Sequence, residues 1–357
     1  MKGSIEIGTD KYTFQEFVEL DVNFKTNIDF KSIQKFIINW IKGNTSFVLQ
    51  TSGSTGDSKS ISISRQQMIA SALMTGRFLN LSEADNALLC LNPEYIGGKM
   101  MLVRAMEIGL NLHVTPPTSN PINELPPLTQ IQFAAFVPLQ VDKLLKSKNG
   151  LSFLNSIDNI IIGGASVNSE LQMKLQGVQS NVYSTYGMTE TVSHIALKRL
   201  NGIGISDNFS LLPGIEIDID QRGCLKIKSK VTSDQWIVTN DIVELTAKDS
   251  FKWIGRIDNV INSGGVKIQI EKLEAQIQSL IPSMNFIITS VQNQELGEEI
   301  VLLSEKRNLT STEKDLLKVE LQRYHFPKVF RLIDKLPITE SGKPDRKSAR
   351  EIVSSLA

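Results

Sequence analysis

The chain has 357 residues, 41% of them apolar, which is enough to bury the core of one large domain and of a smaller one. Its 38 basic residues balance its 38 acidic residues, and this argues against a dedicated surface for nucleic acid or for an anionic membrane. Two widely separated cysteines, Cys90 and Cys224, and the lack of an apolar signal core or membrane-length run predict a cytoplasmic protein with reduced core cysteines and no membrane insertion.

Short apolar runs in the first 250 residues predict strands. They lie at 46–50, 87–91, 133–138, 159–164 and 181–187. Helical periodicity occurs between several of them, over 65–80 and again at Leu171, Leu175 and Val178. Because strands alternate with helices, we expect an α/β layer in which the strands pair in parallel.

The pattern changes to more closely spaced strands from about residue 210. The runs "IEIDID", "CLKIKS", "QWIVTNDIVEL" and "FKWIGR" predict a small antiparallel module that closes the large domain. Two helices follow, one with Leu273, Ile277 and Leu280 on one face and one over about 312–325 that begins with the capping-box pattern "TEKD". The boundary is predicted near Asp258, between a domain of residues 1–257 and a compact α+β domain of residues 258–357.

The segment "TSGSTGDSK" combines glycines, hydroxyls and a lysine directly after the run at 46–50. A Walker A loop requires glycine before its lysine, and Ser58 stands there instead, which excludes a P-loop ATPase or kinase. The segment still suits a polyphosphate, because glycines let backbone N–H groups turn inward, and a solvated turn is the alternative. The candidate phosphate-binding residues are Thr51, Ser52, Gly53, Ser54, Thr55, Gly56 and Lys59.

Five motifs, in this order, resemble those of the acyl-adenylate-forming (AMP-dependent synthetase/ligase) superfamily. They are "TSGSTGDSK" (51–59), "STYGMTE" (184–190), "TND" (239–241), "GRIDNVINSGGVKI" (255–268) and "PITESGKPDR" (337–346). Ser58 and Asn240 depart from the family pattern, which has proline and glycine there. The resemblance implies a large N-terminal α/β domain, here abbreviated, and a small mobile α+β C-terminal domain. It also implies that ATP, Mg²⁺ and coenzyme A take part in activating an acid through an acyl-adenylate.

The resemblance assigns roles to several residues. It makes Lys343 the catalytic lysine that bridges carboxylate and phosphate, Thr189 a contact of the α-phosphate, and Glu190 a catalytic residue and the Mg²⁺ ligand. One carboxylate with phosphate oxygens is an ordinary Mg²⁺ site, since this ion keeps much of its water. Tyr186, beside the sharp Gly187 turn, is expected to stack on adenine, with core packing as the alternative.

Ribose and adenine contacts also follow from the resemblance. Asp241, interpreted as ending a strand, and Arg256 are expected to bind the ribose, with a structural salt bridge as the alternative for either residue. Gly164 and Ala165, at the strand end in "IIGGAS", are expected to form a wall of the adenine and acyl pockets.

The family uses two orientations of its small domain, one for each half-reaction. Asp258 matches the hinge position, and Gly264 and Gly265 match a turn that faces the pantetheine arm in the second orientation. The physical reason is access, because the lysine must leave before a thiol can reach the acyl carbonyl.

The short chain indicates a compact acid, because only 50 residues precede the phosphate loop. This form resembles the abbreviated bacterial 2-succinylbenzoate–CoA ligases of menaquinone biosynthesis, whose substrate is a small aromatic dicarboxylate. Its retained carboxylate needs a cation or strong donors. Arg104 is the first candidate and Lys99 the second; a salt-bridged, buried Arg104 is the alternative. Tyr95 stands where the family has a substrate-facing histidine, and His194 is either a donor to the substrate or a structural residue.

Two other functions stay open at this point. One is a stand-alone adenylation enzyme that loads another small aryl or acyl acid onto CoA or a carrier protein, since both acceptors present a pantetheine thiol. The other is a nucleotide-binding protein without catalysis, which the full set of family residues disfavours. No pattern predicts an oligomeric state.

Overall fold

The structure is a computed structural model that describes residues 2–21, 29–50, 60–124, 130–339 and 344–355. The candidate phosphate-binding residues 51–59 and the candidate catalytic residue Lys343 lie outside the described residues. None of the helices in these ranges is long and apolar enough to cross a membrane.

The first half of the chain alternates strands and helices, as predicted. Its strands are β1 (Ser4–Ile7), β2 (Asp10–Thr13), β3 (Ser46–Gln50), β4 (Ser60–Ser64), β5 (Asn86–Leu89), β6 (Asn111–Val114), β7 (Ile131–Phe136), β8 (Ile157–Ile162) and β9 (Asn181–Gly187). Its helices are α1 (Phe14–Glu19), α2 (Phe30–Ile41), α3 (Arg65–Leu79), α4 (Ile96–Arg104), α5 (Pro138–Lys146), α6 (Gly150–Asn155) and α7 (Ser169–Leu175). A π-helical turn, Ala105–Gly109, follows α4 directly.

Six of these strands form the parallel layer that the sequence predicts. They pair in the order β1-β6-β5-β7-β8-β9, and β2 adds an antiparallel edge beside β1. The α/β fold class is therefore confirmed. Strand β3 is an exception, because it pairs antiparallel with β4 in a separate two-stranded sheet, with Gln50 opposite Ser60. The partner is β4, the next strand in the sequence, which directly follows residues 51–59. Because β3 pairs with β4, it is not part of the parallel layer.

The later strands of the large sheet are antiparallel, as expected, but they continue the parallel layer without a break. They are β10 (His194–Arg199), β11 (Asn208–Leu211), β12 (Glu216–Ile219), β13 (Cys224–Lys228), β14 (Ile237–Ala247) and β15 (Ser250–Arg256). Strand β10 pairs antiparallel with β9, and the order β12-β13-β14-β15-β11-β10-β9 completes a sheet of 13 strands. Parallel and antiparallel parts thus form one mixed sheet rather than a layer with an added module.

A second sheet of five strands begins after residue 259. This part contains β16 (Val260–Ser263), β17 (Val266–Gln269), α8 (Ile270–Leu280), β18 (Phe286–Asn293), β19 (Gly297–Glu305), α9 (Ser311–Glu320), β20 (Val329–Ile333) and α10 (Arg346–Ser355). Its buried side chains form core clusters of their own, around Leu273 and Leu302 and around Leu303 and Val353. The predicted α+β character is therefore present, and the division between residues 257 and 258 stays a prediction.

Helix α9 begins and ends earlier than the sequence pattern predicts. The Glu313 N–H donates to the Thr310 hydroxyl at 3.2 Å, and the Thr310 N–H donates to the Glu313 carboxylate at 2.8 Å. The capping box therefore starts at Thr310 and not at Thr312. The helix ends at Glu320 because Leu321 already has an extended backbone.

Buried aromatic rings pack helix α2 against strand β3 of the two-stranded sheet. The Trp40 ring of α2 stacks on Phe36 and Phe47, with ring centroids 5.8 and 5.3 Å apart. Its indole Nε1 donates to Glu107 Oε1 at 3.0 Å, which ties α2 to the π-helical turn after α4. Helix α4 carries the candidate residues Lys99 and Arg104, so this packing joins α2 to the segment that bears them.

Candidate active site

The carboxyl ends of the parallel strands share one edge of the large sheet. The loops that leave this edge after β5 and β8 contain Tyr95, Gly164 and Ala165, and Gly187 is the last residue of β9, so four of the predicted site residues lie at this edge. Gly164 has φ +83°, a conformation that favours glycine and turns the chain away at the end of β8. Ligands of open α/β sheets bind at such an edge, so the fold brings these predicted residues to the expected place.

Gly187 lies where β9 and β10 approach most closely. A Cβ atom at this position would stand 2.2 Å from the Ser193 carbonyl oxygen and 2.6 Å from the His194 Cα atom. No side chain fits there, and the glycine lets the chain turn into the 3₁₀ turn Thr189–Thr191. The turn carries Thr189, which is half-buried, and Glu190, which is exposed.

Glu190 makes no hydrogen bond or ion pair with any of the described residues, so its carboxylate is open to a ligand. Within the described ranges there is no group of three or more side chains suited to hold a metal ion. Mg²⁺ tolerates such a site, because it binds through one carboxylate, substrate phosphates and water. Strand β4, which follows the candidate phosphate-binding residues, lies against the turn that carries Glu190.

Tyr186 and Asp241 meet although three strands lie between β9 and β14. The Tyr186 ring packs on Phe209 and Phe251, with centroids 5.6 and 5.0 Å away, and its hydroxyl donates to Asp241 Oδ2 at 2.7 Å. Burial raises the pKa of Tyr186, and the negative charge of Asp241 raises it further. Tyr186 is therefore a protonated donor at physiological pH.

Trp253 is a site residue that the sequence reasoning missed. Its indole Nε1 donates to Asp241 Oδ1 at 3.2 Å, so both oxygens of this carboxylate are held by aromatic side chains. The aromatic residues Phe251 and Trp253 in "FKWIGR" were the available signal, because residues two apart in a strand lie on the same face.

Asp241 does not end a strand, contrary to the sequence interpretation. It lies inside β14, directly opposite Arg256, the last residue of β15. The irregularity of the pairing comes one residue later, between Ile242 and Val243. The strand continues past Asp241 because the residues after it pair with β15, as far as Ala247 opposite Ser250, while Val238 before it pairs with Lys226 of β13. The two predicted ribose-binding residues are neighbours across this ladder.

Asp258 links the predicted hinge to both neighbouring motifs. Its carboxylate accepts from Arg256 Nη2 at 2.5 Å and from Asn240 Nδ2 at 3.2 Å to each oxygen. Burial opposes the charge of Arg256, but the hydrogen bond to Asp258 and the charge of Asp241 raise the pKa of the guanidinium overall. Asn240 is the residue that replaces the usual family glycine, and its amide provides a donor that glycine lacks.

The glycine pair Gly264-Gly265 connects β16 and β17 in a two-residue hairpin. Both residues have positive φ, +61° and +81°, as hairpins of this length require. The Gly264 N–H donates to the Leu296 carbonyl at 2.8 Å, and a Cβ at Gly264 would come within 3.0 Å of the Tyr324 ring. This turn belongs to the second sheet and not to the sheet that carries Tyr186 and Asp241.

The candidate acid-binding residues on and beside α4 have different surroundings. Tyr95, which precedes the helix, is 64% exposed. Lys99 is half-buried and donates to the Glu94 carbonyl oxygen, and burial lowers its pKa. Arg104 is only 1% exposed and stands at the end of α4, directly before the π-helical turn. Such turns occur frequently at functional sites.

Arg104 is buried without a carboxylate partner among the described residues. Its Nη2 donates to Ser193 Oγ at 3.3 Å, its Nη1 contacts Met101 Sδ at 3.8 Å, and its Nε has no hydrogen-bond partner. The guanidinium lies 5.8 Å from the Phe133 ring centroid. Burial lowers the pKa of Arg104 to about 9, so the side chain stays charged at neutral pH. The alternative, a salt-bridged Arg104, is not supported, because no carboxylate among the described residues pairs with it.

His194 lies beside Arg104 and is 5% exposed. Its Nδ1 is 3.3 Å from Ser193 Oγ, and its Nε2 is 3.1 Å from the Thr75 hydroxyl. Burial lowers its pKa well below the usual value, and the charge of Arg104 lowers it further, so the ring is neutral. Thr75 and Ser193 were not predicted; Thr75 left a signal as a polar residue within the buried face of α3.

The site thus combines the carboxyl edge of a mixed sheet, the Tyr186–Asp241 hydrogen bond and a Glu190 carboxylate that has no partner among the described residues. The sequence profile of the family described as "AMP-binding enzyme" matches residues 15–223, and the chain belongs to this family. The resemblance inferred from the five motifs is thereby confirmed.

Among known proteins, the chain is similar to several bacterial 2-succinylbenzoate–CoA ligases. The chain is 27% identical to the 2-succinylbenzoate–CoA ligase of Escherichia coli over 78% of its own length, which covers 62% of that protein. It is 23% identical to the enzyme of the same name from Listeria monocytogenes, over 95% of this chain and 77% of that protein. The chain thus spans about three fifths to three quarters of these relatives.

Solved structures agree with the fold. A protein described as an acyl-CoA synthetase (AMP-forming)/AMP-acid ligase II-like protein, from Dyadobacter fermentans, is 38% identical and superposes with a TM-score of 0.63, covering 92% of this chain and 94% of that one. The o-succinylbenzoate CoA synthetase of Bacillus subtilis, solved with its acyl-adenylate intermediate, is 21% identical with a TM-score of 0.69 and coverages of 85% and 68%. The second similarity is one of fold.

Proposed function

We propose that this protein is an AMP-forming acid–CoA ligase of the cytoplasm that converts 2-succinylbenzoate to 2-succinylbenzoyl-CoA in menaquinone biosynthesis. The acid's carboxylate attacks the α-phosphate of ATP and releases pyrophosphate, and the thiol of coenzyme A then displaces AMP from the acyl-adenylate. Family membership and the 2-succinylbenzoate–CoA ligase activity named for the Escherichia coli and Listeria relatives support the reaction class. The observation that carries the choice of acid is the buried guanidinium of Arg104, which has no carboxylate partner among the described residues.

A buried charge without a partner costs several kcal/mol, so such a group is normally paired or excluded. Arg104 keeps its charge, has an unused Nε donor and donates to no carboxylate among the described residues. A small aromatic dicarboxylate supplies the missing anion, because one carboxylate reacts while the other is retained. A planar guanidinium binds such a group through two parallel hydrogen bonds. Lys99 is the second candidate, although its ammonium group already donates to Glu94.

The nucleotide end of the proposed site is built from residues on the sheet. Tyr186 offers an aromatic face to adenine, and Asp241 with Arg256 offers an acceptor and a donor to the ribose hydroxyls. Glu190 would hold Mg²⁺, which neutralises phosphate charge during the attack on the α-phosphate, and Thr189 would donate to that phosphate. The candidate phosphate-binding residues 51–59 and Lys343 complete the proposal from the sequence.

The proposed second half-reaction uses the C-terminal part, residues 258–357. Asp258 would act as the hinge, and the hairpin Gly264-Gly265 would line the path of the pantetheine arm. Since Asp258 is held by Arg256 and Asn240, the hinge would be coupled to the ribose-binding strands. Rotation about this residue would move the catalytic lysine away from the acyl-adenylate and let the thiol of coenzyme A reach it.

Pyrophosphate release tests the proposal. The protein, with ATP and Mg²⁺, is given 2-succinylbenzoate, benzoate, acetate and a medium-chain acid, and thioester formation with free coenzyme A is followed in parallel. We expect fast pyrophosphate release with 2-succinylbenzoate but not with the other three acids, and a CoA thioester as the product. Equal turnover of a monocarboxylate contradicts the substrate, and acyl-AMP without thioester contradicts the acceptor.

A further inference from the structure

Arg104 is the first member of a hydrogen-bonded chain that runs through the buried space between α4, β10 and α3. The chain continues through Ser193 and His194 to Thr75, and it ends on the main-chain carbonyl of Ser71. Four of the five residues are buried and Ser193 is half-buried, and none of the five lies within the five family motifs. The direction of each bond can be worked out from the donors and acceptors.

The proton positions follow from the Thr75 end. The Thr75 hydroxyl donates to the Ser71 carbonyl at 3.1 Å, so toward His194 its oxygen can only accept. The His194 proton must therefore be on Nε2, which leaves a lone pair on Nδ1. Ser193 fills that lone pair with its hydroxyl proton, and its oxygen is then free to accept from Arg104 Nη2.

The neighbours of each group in this hydrogen-bonded series thus determine whether it donates or accepts each hydrogen bond. The neutral imidazole is required, because a second cation beside Arg104 in a buried space would be repelled. Both ring nitrogens of His194 are engaged by protein hydroxyls, at 3.3 and 3.1 Å. A direct bond from the ring to a substrate would have to break one of them. An indirect action, through Arg104, needs no such break.

We propose that His194, acting through Ser193, is a positioning residue that holds the Arg104 guanidinium in the orientation that receives the retained carboxylate of the acid. This inference rests on the proposed function for its substrate, and it changes the expected role of His194 from donor to support. No carboxylate among the described residues of the protein is in a position to orient Arg104. A guanidinium that forms two parallel hydrogen bonds must be aligned in advance to use both.

A double-mutant cycle tests the coupling. We expect His194→Leu to raise KM for 2-succinylbenzoate about tenfold, the size of one lost hydrogen bond to a charged group, while KM for ATP changes less than about twofold. In an Arg104→Ala background the same substitution should change KM for the acid by less than about twofold, because the group it supports has gone. His194→Gln, which retains an acceptor and a donor, should recover most of the affinity. An equal effect in both backgrounds, or an equal rise in KM for ATP, overturns the proposal.

A second measurement does not depend on the identity of the acid. Nitrogen-15 NMR of the histidine side chains in the full-length protein should show His194 as the neutral form protonated at Nε2. Ser193→Ala should perturb Nδ1 and Thr75→Val should perturb Nε2. A His194 ring protonated at Nδ1, or insensitivity to Ser193→Ala, overturns the positioning role. If the wild-type protein does not activate 2-succinylbenzoate, the proposed substrate fails, and these spectra alone decide the role of His194.

Discussion

The two ends of the candidate site differ in how completely the protein satisfies its own charged groups. At the nucleotide end, Asp241 accepts from two aromatic donors, and Arg256 is paired with Asp258. At the acid end, Arg104 is buried with one hydroxyl, one sulfur and no carboxylate among the described residues. Under the proposed function, the first end is organised before a ligand arrives, whereas the second end would be completed by the charge of the acid. Affinity at the nucleotide end should therefore depend on geometry, and specificity at the acid end should depend on charge.

Gly187→Ala should have the largest effect, because it affects both ends. The added Cβ would stand 2.2 Å from a carbonyl oxygen of the main chain, which cannot move away as a flexible side chain can. We expect the free energy of unfolding to fall by about 3–5 kcal/mol, in the upper range for overpacking. Chemical denaturation measures it. Gly177→Ala is the matched control, since its nearest non-neighbouring atom would be 3.6 Å away. Equal stability of the two variants would contradict the close approach of β9 and β10.

Asp241→Ala should affect the nucleotide end selectively. It removes the proposed ribose acceptor and leaves the Tyr186 hydroxyl and the Trp253 indole without their partner. We expect kcat/KM for ATP to fall about 100-fold, as for two lost hydrogen bonds to a charged group, while KM for the acid changes little. Steady-state pyrophosphate release at varied ATP and varied acid separates the two. A proportionate loss for both substrates would indicate a folding defect and not a ribose contact.

Arg104→Ala should affect the acid end selectively. We expect KM for 2-succinylbenzoate to rise about tenfold or more, with ATP binding intact, and the preference over benzoate to shrink because the discriminating charge is gone. Without the acid, stability should change less than for a salt-bridged arginine, since no carboxylate partner among the described residues is stranded. Arg104→Met, which keeps most of the packing, is the control. An equal loss of activity on both acids would show that Arg104 is structural.

Local patterns predicted much of the fold, because strands β5 and β7 to β9 and helix α3 are each coded within a few consecutive residues. The sequence did not reveal that β3 leaves the parallel layer or that β10 continues it, since strand pairing depends on residues distant in the chain. The same holds for the site. Motif residues such as Tyr186 and Asp241 were found, but Trp253, Ser193 and Thr75 act only through contacts across the fold. For Glu190 and Lys343 the reverse holds: their roles come from motif resemblance alone, and no contact among the described residues adds to them.

The smallest expected effect concerns Asn240, the residue that departs from the family pattern at the nucleotide end. Its amide donates to both oxygens of Asp258, so Asn240→Gly restores the usual family residue and removes these bonds. Exposed hydrogen bonds of this kind contribute about 0.5–1.5 kcal/mol, which corresponds to a change of about two- to tenfold. If Asp258 is the hinge, the change should appear in thioester formation from supplied acyl-AMP more than in pyrophosphate release, because release of Asp258 from β14 alters how easily the C-terminal part reorients. Asp258→Asn, which weakens the pair with Arg256 instead, should act in the same direction. A change confined to KM for ATP would instead place the function of these bonds in holding the ribose-binding strands.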